Sequence, residues 1–201
     1  VIEGIKKLSD ILGSENVVVR YDPIFLSDSY TLEYHIRAFD KMCKVLKGYV
    51  KKVVVSFLDD YKNVRHNMRY LRLRAFTEED YKQIGLNFSR SAWENGMSVQ
   101  TCFEERNLVS YGFTRGECLS LSLAEKITGK KPKKWKARGK NGCNCAEMVD
   151  AGVYNTCKHF CKYCYANYDE KMVNANTLRH DVNSSLLIGP TGADDVIKPR
   201  V

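Results

Sequence analysis

The sequence lacks any apolar run near the ~18 residues that a membrane-spanning helix needs, so we expect no contact with a membrane. It also lacks a secretory signal at its start, which reads Val1-Ile2-Glu3-Gly4. Both absences predict a cytoplasmic protein. Because the cytoplasm is reducing, clustered cysteines there indicate metal ligands rather than disulfides.

Acidic residues are missing from residues 126–145, and this stretch explains the charge of the chain. Its eight cations equal the whole net charge of +8, so the remainder is balanced. The chain is therefore not a uniformly basic nucleic-acid-binding protein. The cations are Lys126, Lys130, Lys131, Lys133, Lys134, Lys136, Arg138 and Lys140.

Hydrophobic periodicity predicts helices that alternate with three short strands. Such alternation is typical of βαβ units with a parallel sheet. The predicted strands are 17–19, 53–57 and 98–103, and the helices are 2–12, 32–46, one from a capping box at Thr77 towards Asn95, and a short one over 119–127. The first strand is expected to end at Pro23.

We therefore predict an α/β fold, namely a partial or permuted (β/α) TIM-type barrel with a C-terminal cysteine-rich metal module. Three strands cannot close a barrel, and the chain does not begin with Met, so we expect N-terminal units to be missing. The predicted segments are βα units over 1–129, a basic linker over 130–142 and a cluster-binding segment over 143–201.

Polar residues follow the predicted strands. In parallel α/β folds, functional residues gather at the carboxyl ends of strands. We therefore predict Arg20, Asp22 and Glu104 as catalytic residues. An ion pair between Arg20 and Asp22 that only caps the first strand is the alternative.

The most informative pattern is the cysteine knuckle, which we define as residues 157–164. Cys157, Cys161 and Cys164 have the spacing C-x3-C-x2-C, with Tyr163 before the last cysteine. A structural zinc site takes four protein ligands, whereas three cysteines on a four-iron cluster leave one iron open. The knuckle therefore predicts an open [4Fe-4S] cluster.

Four other cysteines can complete a second, closed metal site that holds zinc or another iron–sulfur cluster. They are Cys102, Cys118, Cys143 and Cys145. The alternative is a single cluster whose fourth ligand is Cys143 or Cys145. Cys43 lies on the apolar stripe of a helix and is expected in the core.

Tyr163, Tyr165 and Asn167 surround the last knuckle cysteine. We predict that they bind a cofactor, because aromatic rings can shield a cluster or stack on an adenine. Ordinary packing is the alternative.

The knuckle resembles the signature of the radical S-adenosylmethionine enzymes, in which the open iron holds the methionine moiety. The resemblance implies S-adenosylmethionine as a cofactor and a reductant for the cluster. Here the βα units precede the cysteines, so either the barrel is permuted relative to that family or the cluster does other work.

The chain as a whole resembles the uncharacterised bacterial family DUF1848. Members of that family extend further at the N-terminus, which implies that the missing barrel strands lie there. The matching pieces are Val19–Ile24, Ser56–Tyr61, Cys143–Cys145, Tyr154–Cys157, Cys161–Asn167 and His180–Ser184.

These features predict an iron–sulfur-cluster protein, a radical-SAM-like enzyme that acts on an unidentified small-molecule or macromolecular substrate. Two alternatives stay open. One is a protein stabilised by zinc or a cluster that binds nucleic acid through the lysine-rich segment 126–140 with Trp135. The other is a purely structural metal module.

Overall fold

The structure, a computed structural model, describes most of the chain in two compact units. It describes residues 1–102, 104, 106–132, 145–146 and 151–197, without the side chains of residues 63, 64, 66 and 68. The first unit combines Val1–Asp59 with Arg72–Met148, and the second combines Asp60–Leu71 with Val149–Val201.

The described residues form six helices and three strands. In chain order these are α1 (Ile2–Leu12), β1 (Val18–Ile24), α2 (Leu32–Val45), β2 (Lys52–Phe57), α3 (Lys62–Leu71), α4 (Glu78–Glu94), β3 (Ser98–Thr101), a 3-10 turn (Val109–Tyr111), α5 (Leu121–Thr128) and α6 (Glu170–Leu178). Helices α3 and α6 belong to the second unit. No helix in the described parts of the chain has the length and apolarity to cross a membrane.

The strands form one parallel sheet in the order β1-β2-β3. Val53 at its centre pairs with Val19 on one side and Val99 on the other. The predicted α/β class and parallel sheet are confirmed. Within the described residues the sheet is open, so the TIM-type barrel is not shown.

The predicted end of the first strand at Pro23 is wrong, because β1 continues to Ile24. The pairing with β2 shifts register between Tyr21 and Ile24. Proline lacks an N–H, but β1 is an edge strand of this sheet, and an edge position tolerates the missing donor.

The core of the first unit lies between the sheet and the helices α2 and α4. Val53, Val54 and Val55 are all buried, as expected for a strand covered on both faces. Phe39 of α2 and Phe88 of α4 are fully buried and stack with their ring centroids 3.8 Å apart.

The start of α4 depends on a buried carboxylate. Asp80 accepts hydrogen bonds from the Thr77 N–H at 2.8 Å and from the Arg74 guanidinium at 2.7 and 2.9 Å. The Asp80 N–H donates in turn to the Thr77 hydroxyl at 3.2 Å, which completes the predicted capping box. The Arg74 hydrogen bonds, joined by those from Thr77, outweigh burial and hold the pKa of Asp80 well below its usual range.

Because the pKa of Asp80 is depressed, the free energy of unfolding depends on pH. Asp80 contributes its full stabilisation above the pKa of an unfolded aspartate, and the contribution is lost as pH falls from about 5 towards 2. Because Arg74 is half exposed, solvent screening weakens its part of this stabilisation. We expect Asp80→Asn to lower the free energy of unfolding at pH 7 by about 1–3 kcal/mol.

Urea denaturation from pH 7 to pH 2 measures this effect. The difference between wild type and Asp80→Asn should shrink as the pH falls. A difference that stays constant over this range would contradict the assignment.

Candidate functional site

The knuckle lies in a loop of the second unit, residues 155–169, whose two ends are joined by one buried asparagine. The Asn155 N–H donates to the Ala166 carbonyl at 2.8 Å. Its side-chain oxygen accepts from the N–H groups of Tyr168 at 2.9 Å and Asp169 at 3.1 Å. Asn155 is 1% exposed and has a φ of 58°, a left-handed conformation that asparagine tolerates well. The cysteines are therefore carried on a closed loop.

A second asparagine closes the same loop nearer to the cysteines. The Asn167 amide donates to the Cys157 carbonyl, and its oxygen accepts from the Cys157 N–H at 3.5 Å. Asn167 was predicted to bind a cofactor. The structure places its amide on the backbone of the first knuckle cysteine.

The three knuckle cysteines are accessible and form no disulfide. Cys157 is exposed, and Cys161 and Cys164 are partly exposed. The Cys164 N–H donates to the Cys161 carbonyl at 2.9 Å, and Phe160 before this turn has a left-handed φ of 51°. No three Cys, His, Asp or Glu side chains among the described residues are arranged to hold a metal ion. The predicted metal module is thus not shown.

Tyr165 is exposed, and its ring contacts other tyrosines of the second unit. Its ring lies 4.9 Å from that of Tyr61, which precedes α3, and 6.4 Å from that of Tyr154. Tyr154 also lies 6.2 Å from Tyr168. These ring contacts are compatible with packing of the unit, and cofactor binding by Tyr165 stays a prediction.

In the first unit, polar side chains lie at or beside the carboxyl ends of the strands, and we call them the strand-end cluster. Its members are Arg20, Asp22, Ser56, Cys102, Glu104 and Cys118.

Arg20 and Asp22 of β1 form the anticipated ion pair. They are two residues apart, so their side chains lie on one face of the strand. The Arg20 Nη2 atom lies 2.6 Å from Asp22 Oδ2. Ser56 of β2 donates to the other carboxylate oxygen. The pair therefore joins two strands instead of only capping one.

Glu104 accepts a hydrogen bond from the N–H of Phe57, the last residue of β2, at 2.8 Å. Burial raises the pKa of Glu104 to about 7; the hydrogen bond opposes the shift, and the negative charges of Asp59 and Asp22 add to it. This carboxyl can hold a proton near neutral pH.

Three of the four cysteines predicted for the closed site lie next to one another. The Cys118 N–H donates to Cys145 Sγ at 3.0 Å, and the Arg20 Nη1 atom lies 4.0 Å from Cys118 Sγ. Cys118 and Arg20 lower the pKa of the Cys102 thiol to about 6, against the opposing effect of burial. The fourth cysteine, Cys143, lies outside the described residues.

Gln100 is a site residue that the sequence patterns do not reveal. It is 1% exposed, and its Nε2 donates to the Gly116 carbonyl at 3.2 Å and to Cys118 Sγ at 3.9 Å. A Cβ at Gly116 would collide with the Gln100 Oε1 atom, so only glycine allows this approach. The signal in the sequence is a lone amide within the short strand β3, Ser98–Thr101.

The lysine-rich segment is only partly described. Lys126 lies in the last turn of α5, which ends at Gly129 with a φ of 64°. Residues 133–140, with Trp135, lie outside the described residues. Nucleic-acid binding through this segment stays a prediction.

The family model described as "Domain of unknown function (DUF1848)" matches residues 1–166. The chain belongs to the DUF1848 family. The match includes the strand-end cluster and all three knuckle cysteines. No curated protein and no solved structure matches this DUF1848 chain. Its function must therefore be argued from the two sites.

Proposed function

We propose that this DUF1848 chain is an iron–sulfur-cluster protein in which Cys157, Cys161 and Cys164 bind an open [4Fe-4S] cluster. The observation that carries the proposal is the closed loop, which presents three accessible thiols within eight residues. Soft thiolate ligands suit iron–sulfur clusters and zinc rather than magnesium or calcium. Three such ligands suit a cluster with one open iron.

The donor set fits the cluster, although the thiols are not gathered on one point. The knuckle contains no helix or strand, so gathering them disrupts no regular secondary structure. Ligand binding in such small modules is coupled to the final folding of the loop. Asn155 and Asn167 meanwhile hold its two ends together.

A reduced cluster of this kind supplies an electron to S-adenosylmethionine, which is the chemistry of radical-SAM enzymes. We propose that this chain is such an enzyme, served by an external reductant. Tyr163 and Tyr165 are the proposed cofactor contacts. Asn167 would act indirectly, by holding the backbone of the loop that carries the cysteines.

The strand-end cluster is the proposed substrate site. Hydrogen bonds to Cys102 and Asp22 keep Arg20 charged despite its partial burial. Arg20 can therefore orient a polar substrate group, and Glu104 can hold or release a proton. Asp22 fixes the guanidinium from the same strand.

Iron counting tests the cluster. The protein is purified without oxygen and reconstituted with iron and sulfide, beside a variant with Cys157, Cys161 and Cys164 all replaced by alanine. We expect the variant to lose about four irons per chain. A matched variant lacking Cys102, Cys118 and Cys145 should keep the knuckle iron. Zinc in place of iron, or equal iron in wild type and knuckle variant, would contradict the proposal.

A further inference from the structure

The second unit exposes five tyrosine rings beside the knuckle, and we call them the tyrosine face. We propose that the tyrosine face and the cations around it bind single-stranded nucleic acid, with bases stacked on the rings and phosphates held by the cations. The proposal goes beyond the proposed enzyme and does not depend on iron at the knuckle. The face consists of Tyr61, Tyr70, Tyr154, Tyr165 and Tyr168.

Contacts between rings join four of these tyrosines into one row. The Tyr165 ring lies 4.9 Å from that of Tyr61 and 6.4 Å from that of Tyr154. The Tyr154 ring in turn lies 6.2 Å from that of Tyr168. The row therefore continues from the start of α3 across both ends of the loop that carries the cysteines.

Helix α3 connects the fifth tyrosine to the same surface. Tyr70 lies in the last turn of α3, and the Lys162 Nζ atom of the knuckle is 5.9 Å from the centroid of its ring. The Arg69 guanidinium carbon lies 4.8 Å from the same centroid. Both ends of α3 thus meet the knuckle loop, and cations lie among the rings.

The rings of the tyrosine face are open to a ligand. Their exposed fractions run from 44% for Tyr61 to 61% for Tyr70. Single exposed apolar side chains are ordinary on protein surfaces, but a contiguous set of large rings marks an interaction site. The exposure of all five rings indicates that packing within the unit leaves much of each ring available for contact.

The charge around the rings has one sign. The two segments that carry the rings, residues 61–71 and 154–168, contain five cations and no acidic residue. Arg65 is paired with Asp60 at 2.7 Å, so we leave it out of the surface. The other four cations are exposed, and they are Lys62, Arg69, Lys158 and Lys162.

This combination of groups selects the class of partner. Cations bind the phosphates of any nucleic acid, whereas aromatic rings bind the flat faces of bases. In a duplex the base faces are covered by neighbouring base pairs, so stacking on a protein ring favours a single strand. An acidic peptide would use the cations but would give the row of rings no stacking partner. The surface is also separate in sequence from the lysine-rich segment 126–140.

The experiment measures the fluorescence anisotropy of a labelled single-stranded oligonucleotide of about 12 nucleotides, titrated with the full chain as purified. We expect binding at low salt, weaker binding of the same sequence as a duplex, and a linear fall of log K with log salt concentration. Tyr168→Ala should weaken binding about 5- to 100-fold, while Tyr168→Phe keeps the ring and the affinity. Lys162→Ala should reduce the magnitude of the salt slope by about 0.7.

Matched variants control for general effects of substitution. Trp93→Ala removes an exposed ring from the first unit, and Lys171→Ala removes an exposed cation from α6. Both should leave the affinity and the salt slope unchanged. Tyr165 is not substituted, because it is a proposed cofactor contact. Failure of oligonucleotide binding would leave the iron-counting result intact, so the two proposals fail separately.

Three results would overturn the proposal. The first is no binding of the oligonucleotide at low salt. The second is equal affinity for single strand and duplex, or for an oligoglutamate of the same charge, which would show that charge alone determines binding. The third is an unchanged affinity in Tyr168→Ala together with loss of binding when Lys130, Lys131, Lys133 and Lys134 are replaced by alanine, which would assign binding to the lysine-rich segment.

Discussion

Replacing Asn155 by alanine is expected to destabilise the second unit by about 2–4 kcal/mol and to lower iron binding at the knuckle. The substitution leaves the N–H groups of Tyr168 and Asp169 without their acceptor. It also places a Cβ-bearing residue without a compensating amide at a φ of 58°. The loop that carries the cysteines would lose the side-chain hydrogen bonds that join Asn155 to its far end.

Three variants separate the causes of this effect. Asn155→Asp keeps the acceptor and should retain most of the stability and iron. Glycine adopts this backbone conformation without strain but lacks the side-chain amide. The stability lost in Asn155→Gly therefore measures the side-chain hydrogen bonds alone. Asn174→Ala, at an exposed position of α6, is the matched control, with an expected change within about 0.5 kcal/mol.

Thermal unfolding and iron content after reconstitution measure both parts of the prediction. If Asn155→Ala and Asn174→Ala were equally stable and bound equal iron, the loop closure assigned to Asn155 would be wrong.

Phe88→Ala is expected to lower the free energy of unfolding of the first unit by about 3–5 kcal/mol. Phe88 is fully buried and stacks on Phe39, and the Tyr21 ring meets both of them edge-on at 5.7 and 5.5 Å. Truncation removes one ring from this group and leaves a cavity. Because Tyr21 lies between Arg20 and Asp22 on β1, the same ring group supports the strand that carries the ion pair.

Urea denaturation followed by circular dichroism measures this cost. Leu86→Ala on the same helix is the control, since Leu86 is 46% exposed and should change stability by less than about 1 kcal/mol. Phe88→Leu should cost less than Phe88→Ala because it fills part of the cavity. Similar losses for Phe88→Ala and Leu86→Ala would contradict the assignment of the core.

Local patterns in the sequence predict the first unit well. The helix over 2–12 agrees with α1 at both ends, and the capping box at Thr77 forms as predicted. Both features depend on residues that lie within a few positions of one another, so the spacing of residue types is enough to predict them. The end of the first strand at Pro23 was predicted wrongly. A strand tolerates proline at the edge of a sheet, and the position of a strand in the sheet is a tertiary property.

The second unit is harder to predict because few of its residues are buried. Helix α6 buries only Val173 among its described residues, so its apolar periodicity is weak. The role of Asn155 depends on partners 11 to 14 residues away. In the first unit, the contact between Gln100 and Cys118 likewise joins residues 18 positions apart. Such contacts follow from the fold and leave no local motif.

The central claim is that the knuckle holds a cluster with one open iron, and S-adenosylmethionine probes it directly. The reconstituted and reduced protein is measured by electron paramagnetic resonance with and without S-adenosylmethionine, and the products are assayed for 5′-deoxyadenosine. The account predicts a changed spectrum and 5′-deoxyadenosine formation, both absent from the knuckle variant. A fully assembled cluster whose spectrum is unaffected by S-adenosylmethionine, with no cleavage, would contradict it.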